Sequence, residues 1–259
     1  MNKIRLVASD IDGTLMTDEG RLPEELFPVV ERLTAEGVLF VVASGRQTLN
    51  MQQLFARCCD RLLFISHNGA TVSVGTERVY NSYIEPDRVE CCLNYAERNG
   101  ADVMLYSDST IFVDGRNELM LPFLDKHQVP YTLCSNLHDH TTGVPKLSIV
   151  KFEGDIKELK GGVEAMGVAP FVANRCMIDV TAVGTNKGVA LRRIMQEHGI
   201  AREEACAFGD SENDMDLLAE AGFRYAVANA AEGLKKQAEV IGSNNDLGVV
   251  KKLKELFAI

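Results

Sequence analysis

Two aspartates at the end of an apolar run limit the possible fold and chemistry of this chain more than any other feature of its sequence. The largely apolar, β-prone segment Ile4–Val7 is soon followed by Asp10, Asp12 and Gly13. Two carboxylates one residue apart at the end of a buried strand repel each other unless a cation lies between them. Ionised carboxylates are hard oxygen ligands and competent nucleophiles, so one interpretation is a metal-assisted covalent reaction. The alternative is an ordinary Asp-Gly turn with solvated aspartates.

Size and charge narrow the kinds of partner that the chain can have. It has 259 residues, 46% of them hydrophobic and 25% charged, which suits one large globular domain or two modest ones. The formal net charge is −10, which disfavours nucleic acid and anionic membrane surfaces as partners. No apolar run approaches the length of a membrane span, and the N-terminus shows no apolar signal region. We therefore expect a cytoplasmic protein, a monomer or a weak homodimer, that acts on a small molecule.

Short apolar strands followed by helices recur at both ends of the chain. Val38–Ala43 is a continuous apolar run that stops at Ser44, and Ala205–Phe208 stops just before Asp210. Such runs are typical of strands covered on both faces, and their alternation with helices predicts an α/β fold with a doubly wound, parallel, Rossmann-like sheet. Ligands of such sheets bind beyond the carboxyl ends of the strands, where Asp10, Ser44 and Asp210 are expected.

Two helices are expected between the strands of the first half. Pro23 near the first position and the acidic residues after it suit the positive end of a helix that ends at Gly37. Pro28 lies inside this range and leaves a later start open. The next helix is predicted over Gln47–Cys59.

The middle of the chain follows a different pattern. From about residue 82, short strands lie next to one another without helices between them, which indicates antiparallel pairing in a separate α+β domain of about 100 residues. Near residue 184 the alternating pattern resumes. The sequence therefore predicts a core domain formed by residues 1–81 and 184–259, with an inserted domain at 82–183.

Four motifs occur in order at predicted strand ends or at a helix start. They are D-I-D-G-T-L, V-V-A-S-G-R, T-N-K-G-V-A-L and G-D-S-E-N-D, with the insertion between the second and the third. In this order they resemble the haloacid-dehalogenase-like phosphohydrolases, and within these the Cof-type phosphatases with a large α/β cap. The resemblance covers nearly the whole chain; each motif alone is weak, whereas the ordered set is specific. It implies that residues 82–183 form a cap that sets substrate specificity.

The resemblance also assigns roles to the residues of these motifs. Phosphoryl transfer needs a nucleophile in line, neutralisation of charge on the phosphoryl oxygens, and a proton for the leaving oxygen. Asp10 matches the nucleophile that forms an aspartyl-phosphate, and Asp12 the general acid that later activates water. Ser44 and the amide of Gly45 match the groups that hydrogen-bond the phosphoryl group. Lys187 matches the cation that holds nucleophile and phosphoryl oxygens together.

A second consequence of the resemblance is a magnesium site. Asp210 matches the acidic ligand, Asp10 joins it, and Asp12 is expected to contribute its main-chain carbonyl. Asn213 and Asp214 look like a phosphoryl contact and a metal position that is direct or outer-sphere. An all-oxygen site with open positions for phosphate and water suits the hard octahedral Mg²⁺ ion.

Several residues carry an alternative of their own. Lys187 could be a solvated lysine at a helix start, but a cation there opposes the helix dipole, which indicates a nearby anion. Arg46 could reach phosphate or orient a neighbouring acid. Asn68 resembles a residue that the family places near the cleft, and we expect it to contact the substrate. His138 and His140 have the spacing of a metal pair, but without a third ligand we expect solvated loop histidines.

The sequence thus predicts a Mg²⁺-dependent phosphatase of small phosphomonoesters, with sugar phosphates as the first candidates and an aspartyl-phosphate intermediate. A phosphomutase of the same superfamily is the alternative, and it would need a bisphosphate activator. A sugar-phosphate sensor without activity is the non-enzymatic alternative, although the chain keeps all the expected chemical groups. Dehalogenases and ion pumps of the superfamily lack the second acid, so Asp12 disfavours both. A phosphoaspartate signalling module would have no place for the insertion.

Overall fold

The computed structural model describes residues 4–126 and 129–259, without the side chain of Lys126. Its strands are β1 Leu6–Asp10, β2 Leu39–Ala43, β3 Leu62–Ser66, β4 Thr71–Val74, β5 Glu77–Asn81, β6 Asp102–Tyr106, β7 Ile111–Val113, β8 Thr132–Leu133, β9 Leu147–Val150, β10 Ala169–Asn174, β11 Met177–Thr181, β12 Ala205–Gly209, β13 Phe223–Ala226 and β14 Glu239–Val240. Its α-helices are α1 Leu26–Ala35, α2 Thr48–Leu54, α3 Pro86–Arg98, α4 Met120–Lys126, α5 Lys157–Glu164, α6 Lys187–Glu197, α7 Met215–Glu220, α8 Glu232–Lys235 and α9 Gly248–Phe257.

The chain forms two compact units. The core unit consists of the residues up to Tyr80 together with Asn186–Ile259, and the inserted unit is Asn81–Thr185. The boundaries expected from the sequence, 81/82 and 183/184, differ from these by one or two residues. That the inserted unit is a domain that sets specificity stays a prediction.

The core unit contains an eight-stranded sheet in the order β14-β13-β12-β1-β2-β3-β4-β5. The neighbours from β14 to β3 are parallel, and β4 runs antiparallel to β3. β1 lies at the centre, where Ala8 is paired with Val41 of β2 and with Ala207 of β12. All five residues of β1 are buried, as expected for a strand covered on both faces. The predicted α/β fold with a parallel core sheet is confirmed.

Both predicted helices of the first half are shorter than the sequence suggested: the first begins later, and the second ends earlier. α1 begins at Leu26 rather than near Pro23, and Pro28 is its third residue. Proline is tolerated there because the N–H groups of the first turn have no intrahelical partner. The second helix ends at Leu54, and a 3₁₀ turn at Cys59–Arg61 leads into β3.

The inserted unit has a six-stranded sheet of its own, in the order β10-β11-β9-β6-β7-β8. The pairs from β10 to β7 are antiparallel, as predicted, whereas β7 and β8 are parallel. Apolar residues of α3 and α5 form one core with this sheet. Within the described ranges of both units, no helix is both long and apolar enough to cross a membrane.

Candidate active site

Three predicted site residues lie at the carboxyl ends of neighbouring parallel strands. Asp10 is the last residue of β1, Ser44 follows β2, and Asp210 follows β12. Because β1 pairs with both other strands in parallel, their ends meet at one edge of the sheet. Asp10 and Ser44 are buried there, with 5% and 2% of their surface exposed. The edge of the sheet where ligands are expected therefore carries buried polar groups.

Lys187, the first residue of α6, is buried among carboxylates. Its Nζ donates to Oδ1 of Asp10 at 2.6 Å and to Oδ1 of Asp214 at 2.7 Å, and the residue is 1% exposed. Burial alone would lower the pKa of Lys187, but the charges of Asp10 and Asp214 outweigh it and raise that pKa. The interpretation of Lys187 as a solvated helix-start lysine is therefore wrong, and the anion expected from the helix dipole is present.

Asp10, Asp210 and Asp214 form an acidic cluster. One carboxylate oxygen from each lies within 4.8 Å of the others, a grouping that could hold a metal ion. Burial raises the pKa of Asp10 well above its ordinary value of 3.8, Lys187 opposes this, and the other two aspartates add to it. Burial and the charge of Asp214 raise the pKa of Asp210 to about 6. Crowded carboxylates whose ionised forms are disfavoured fit a hard divalent cation with oxygen ligands.

Asp214 is held differently from its two neighbours. Its Oδ1 accepts from Lys187, and its Oδ2 accepts the main-chain N–H groups of Asp210 and Ser211, each at 3.1 Å. The residue is fully buried. Since both oxygens already accept hydrogen bonds, Asp214 fixes the loop that carries Asp210.

Thr14 and Gly13 hold Asp210 from the side of the first motif, and the sequence analysis assigned neither of them a role. Thr14 Oγ1 donates to Oδ1 of Asp210 at 3.0 Å and is 1% exposed. Gly13 has φ of +78°, and a Cβ on it would lie 2.7 Å from Oδ2 of Asp210. Only glycine combines that conformation with so close an approach. The D-x-D-G-T pattern was the available signal, because both residues belong to it.

Asp12 and Arg46 form a bidentate ion pair. Nε of Arg46 lies 2.8 Å from Oδ2 of Asp12, and Nη2 lies 2.6 Å from Oδ1. The Asp12 side chain is 52% exposed, and among the described residues its carboxylate is not part of the acidic cluster. Of the two roles considered for Arg46, the contact seen here is with the acid. The expectation that Asp12 offers its main-chain carbonyl to a metal stays a prediction.

Ser44, Gly45, Asn68 and Asn213 lie next to one another. Ser44 Oγ accepts the N–H of Arg46 at 3.2 Å, and its carbonyl accepts the N–H of Asn68 at 3.1 Å. Asn213 Nδ2 donates to Oδ1 of Asn68 at 3.3 Å. A Cβ on Gly45 would lie 3.0 Å from that same oxygen, so the Asn68 amide covers the Gly45 backbone. The predicted phosphate contacts are thus assembled into one group.

The turn His67–Gly69 joins this group to the start of α6. All three of its residues have positive φ, which is rare for residues other than glycine and is typical of functional sites. A Cβ on Gly69 would overlap the main-chain oxygen of Asn186, the N-cap residue of α6. The close approach of this turn therefore fixes the position from which Lys187 extends.

Two asparagines from the end of the chain support the first loop, and sequence reasoning missed both. Asn229 Nδ2 donates to the carbonyl of Gly13 at 2.7 Å, and Asn244 Nδ2 donates to that of Met16 at 3.0 Å. Asn244 is buried, and its main-chain N–H in turn donates to Oδ1 of Asn229 at 3.1 Å. No local sequence signal predicts contacts over more than 200 residues.

His138 and His140 of the inserted unit each contact a neighbouring side chain. His138 Nδ1 lies 2.7 Å from Oε1 of Glu90, and the ring of His140 stacks on Phe112 with 3.9 Å between centroids. Both are therefore held by neighbours and are not simply solvated, as the sequence had suggested. Among the described residues, the acidic cluster is the only group of three or more ligands suited to a metal.

One protein family and several known proteins are similar to this chain. A family model described as haloacid dehalogenase-like hydrolase matches residues 7–253. An HMP-PP phosphatase of Klebsiella pneumoniae (strain 342) is 27% identical over 245 residues, which cover 92% of this chain and 90% of that protein. A 5-amino-6-(5-phospho-D-ribitylamino)uracil phosphatase of Escherichia coli (strain K12) is 28% identical over 265 residues, covering 95% and 94%. Among solved structures, the HAD subclass IIB sugar phosphatase BT4131 matches with a TM-score of 0.83 and 26% identity, covering 98% of this chain and 100% of its own.

Proposed function

The chain belongs to the haloacid dehalogenase-like hydrolases, and we propose that it is a Mg²⁺-dependent phosphatase acting on small phosphomonoesters through an aspartyl-phosphate intermediate. The observation that carries the proposal is the buried arrangement of Asp10, Lys187 and the acidic cluster. A nucleophile, a fixed cation and a set of metal ligands at one strand end are the groups that phosphoryl transfer requires.

Asp10 is the proposed nucleophile. Its carboxylate attacks phosphorus, the bond from phosphorus to the leaving oxygen breaks, and the phosphoryl group stays on Asp10. Lys187 supports this role because its Nζ, 2.6 Å from Oδ1, favours the ionised carboxylate and so opposes the rise in the pKa of Asp10 that burial causes. The same ammonium would stabilise charge on the phosphoryl oxygens.

Asp12 is the proposed acid and base. In its protonated form it gives a proton to the leaving oxygen in the first step, and the carboxylate that results then takes a proton from the water that attacks phosphorus, which restores the protonated form. Inorganic phosphate leaves and Asp10 is restored. Ser44, the Gly45 amide, Asn68 and Asn213 are the proposed phosphate contacts, since they form one group next to Asp10's strand end.

The side chains of Asp10 and Asp210 are proposed to bind Mg²⁺, and Asp12 is proposed to contribute its main-chain carbonyl. Asp214 is proposed to support the site without binding the ion directly. When bound, the ion would neutralise charge on the carboxylates and on the phosphoryl oxygens. Asp214 fits an indirect role because both of its oxygens already accept hydrogen bonds. The pKa of Asp210 is raised to about 6, which means that its ionised form is disfavoured without a nearby cation, as expected for a metal ligand in the absence of its metal.

Sugar phosphates are the proposed substrate class. The support comes from relatives: one structural neighbour is named a sugar phosphatase, and two sequence relatives are named HMP-PP phosphatase and 5-amino-6-(5-phospho-D-ribitylamino)uracil phosphatase. We further propose that residues 82–183 set the specificity, and that the protein works in the cytoplasm as a monomer or weak homodimer.

The test is phosphate release from a panel of phosphomonoesters, with and without Mg²⁺. We expect Mg²⁺-dependent hydrolysis, and loss of it in Asp10→Asn but not in the exposed control Asp60→Asn. Near wild-type turnover by Asp10→Asn, with reversion by deamidation excluded by mass spectrometry, would disprove the covalent route. Activity that needs a bisphosphate activator would favour the phosphomutase.

A further inference from the structure

We propose that Arg46 is a positioning residue for Asp12, and that it serves proton transfer to the leaving group rather than phosphate binding. The inference rests on the proposed function, since it assumes that Asp12 is the acid and base. It is carried by the contacts of the arginine, which are all within the core unit.

The guanidinium of Arg46 makes a bidentate contact with the Asp12 carboxylate. Nε and Nη2 each contact a different oxygen, at 2.8 and 2.6 Å. Two parallel contacts of this kind fix the plane of a carboxylate as well as its place, which a single point charge does not do. The pair therefore determines the direction in which Asp12 presents its oxygens.

Arg46 is itself held in place. Its Nη1 donates to Oδ1 of Asn50, one helical turn further along in α2, at 2.7 Å. Its main-chain N–H donates to Ser44 Oγ, and its carbonyl accepts the N–H of His67. Each nitrogen atom of the guanidinium has an acceptor, and Nη2 also contacts Sδ of Met16 at 3.7 Å, so these contacts engage four of the five N–H groups. A phosphate that took more than the second N–H of Nη1 would have to displace one of them.

Asp12 needs such support because little else orders its side chain. The backbone around it is fixed, since the carbonyl of Ile11 accepts the N–H groups of Thr14, Leu15 and Met16. The side chain, however, is 52% exposed, so packing restrains it less than it would restrain a buried side chain. An exposed ion pair with a single contact contributes little to stability, whereas the bidentate geometry seen here restricts the orientation of the carboxylate.

The test compares two substrates with different leaving groups. Glucose 6-phosphate releases an alkoxide that needs a proton, whereas 4-nitrophenyl phosphate releases a stable phenolate. We expect Arg46→Ala to lower kcat/KM for glucose 6-phosphate by about 10²-fold, the usual effect of misplacing a catalytic group. For 4-nitrophenyl phosphate we expect a change of at most about 2-fold, the scatter of independent sites. Arg57→Ala, which removes an exposed arginine paired with Glu24, is the control and leaves both values unchanged.

A double-mutant cycle shows whether Arg46 acts through Asp12. In the Asp12→Asn background, Arg46→Ala should have no further effect on kcat/KM for glucose 6-phosphate, because the carboxylate that it orients is gone. Three results would overturn the proposal and make Arg46 a phosphate ligand. The first is that the effects of Arg46→Ala and Asp12→Asn on kcat/KM multiply in the double variant. The others are that Arg46→Ala lowers kcat/KM equally for both substrates, or that it weakens inhibition by inorganic phosphate.

Two further results keep the interpretation unambiguous. If Arg46→Ala fails to fold, Arg46→Lys keeps the charge but loses the bidentate contact, and we expect it to show the same selective loss; an unselective loss would contradict the proposal. If the wild-type protein hydrolyses neither substrate in Mg²⁺ and no compound of the panel either, the proposed function itself fails. An active wild type with an unselective Arg46→Ala would overturn only the positioning role.

Discussion

Lys187 and Asp10 are 177 residues apart in the chain and form a buried ion pair, with 2.6 Å between Nζ and Oδ1. The side chains are 1% and 6% exposed, so water screens the pair very little. The same ammonium contacts Asp214 at 2.7 Å, which gives one cation two anionic partners. The centre of the site is therefore short of positive charge, and several consequences can be measured.

Replacing Lys187 with methionine should destabilise the protein strongly. Removal of one partner of a buried ion pair costs about 3–5 kcal/mol, because the remaining charge stays buried without compensation. We expect a loss of this order in urea denaturation at neutral pH without divalent cations. Lys235→Met, which removes a lysine paired with the exposed Glu232, should change the free energy of unfolding much less. Equal effects of the two substitutions would contradict the buried pairing.

Asp210→Asn and Asp214→Asn should change stability in opposite directions. Asp210 is disfavoured as an anion, as its pKa of about 6 indicates, so removing its charge should stabilise the metal-free protein at neutral pH. Asp214 accepts from Lys187 and from two main-chain N–H groups, and an amide would point a donor at donors. We expect a higher thermal midpoint for Asp210→Asn and a lower one for Asp214→Asn. A shift in the same direction would refute the distinction.

Stability without metal should fall as pH rises toward neutrality. The folded pKa of Asp210, about 6, lies above its ordinary value of 3.8, and that of Asp10 is raised as well. Between these values the folded protein binds more protons than the unfolded chain, so its free energy of unfolding decreases with increasing pH. Thermal melts between pH 4 and 7 should show a thermal midpoint that falls with pH in the wild type, and a smaller fall in Asp210→Asn, which lacks one of the two carboxyl groups.

Added Mg²⁺ should reverse that trend. Carboxylates must lose their protons to bind a metal, so the stabilisation by Mg²⁺ should be small below pH 6 and larger above it. The measurement is the shift of the thermal midpoint at a fixed Mg²⁺ concentration. A shift that does not depend on pH, or that persists in Asp210→Asn, would place the metal elsewhere.

Much of this site could be predicted because its positions follow from the sheet. Asp10 ends an apolar strand, Ser44 and Asp210 each follow one, and parallel strands bring their carboxyl ends to one edge of the sheet. Lys187 was predictable for a different reason, since a lysine at a helix start needs an anion. These arguments use only local pattern and general geometry.

The rest depends on tertiary contacts that no local pattern encodes. Asn229 and Asn244 reach the loop of the first motif from more than 200 residues away. The choice of Arg46 between phosphate and acid depends on the direction of one side chain. Asp214 matched a metal position in sequence, but its contacts with Lys187 and two main-chain N–H groups became visible only in the folded loop.

Gly69→Ala should impair activity although Gly69 has no chemical group of its own. Its φ is +102°, and a methyl group would overlap the main-chain oxygen of Asn186 at the start of α6. Relief of that overlap must move the turn or the helix end from which Lys187 extends. We expect lower kcat and lower stability. Gly100→Ala, at a positive-φ glycine with no atom near a Cβ, is the control for backbone strain alone. Equal activity of the two variants would rule out the proposed contact.

Asp12→Asn should separate the two steps of the proposed reaction. A sugar alkoxide resembles hydroxide as a leaving group, whose parent water has a pKa of roughly 15.7. It needs a proton as its bond breaks, and general acid catalysis contributes on the order of 10²–10⁴-fold. Nitrophenolate leaves without that help, so the first step with 4-nitrophenyl phosphate should be largely spared in the variant.

Hydrolysis of the aspartyl-phosphate should still be slow in Asp12→Asn, because no carboxylate remains at that position to take a proton from the attacking water. Rapid mixing of the variant with 4-nitrophenyl phosphate should then give a burst near one equivalent of nitrophenolate, followed by slow turnover. Acid quenching should trap the phosphoryl group on Asp10, and Asp10→Asn should show neither burst nor trapped phosphate. If Asp12→Asn slows the first step by the same factor for glucose 6-phosphate and for 4-nitrophenyl phosphate, and no phosphoenzyme accumulates, then Asp12 only positions the loop or the metal. The half-exposed carboxylate, held by Arg46 and outside the acidic cluster, favours the acid and base role.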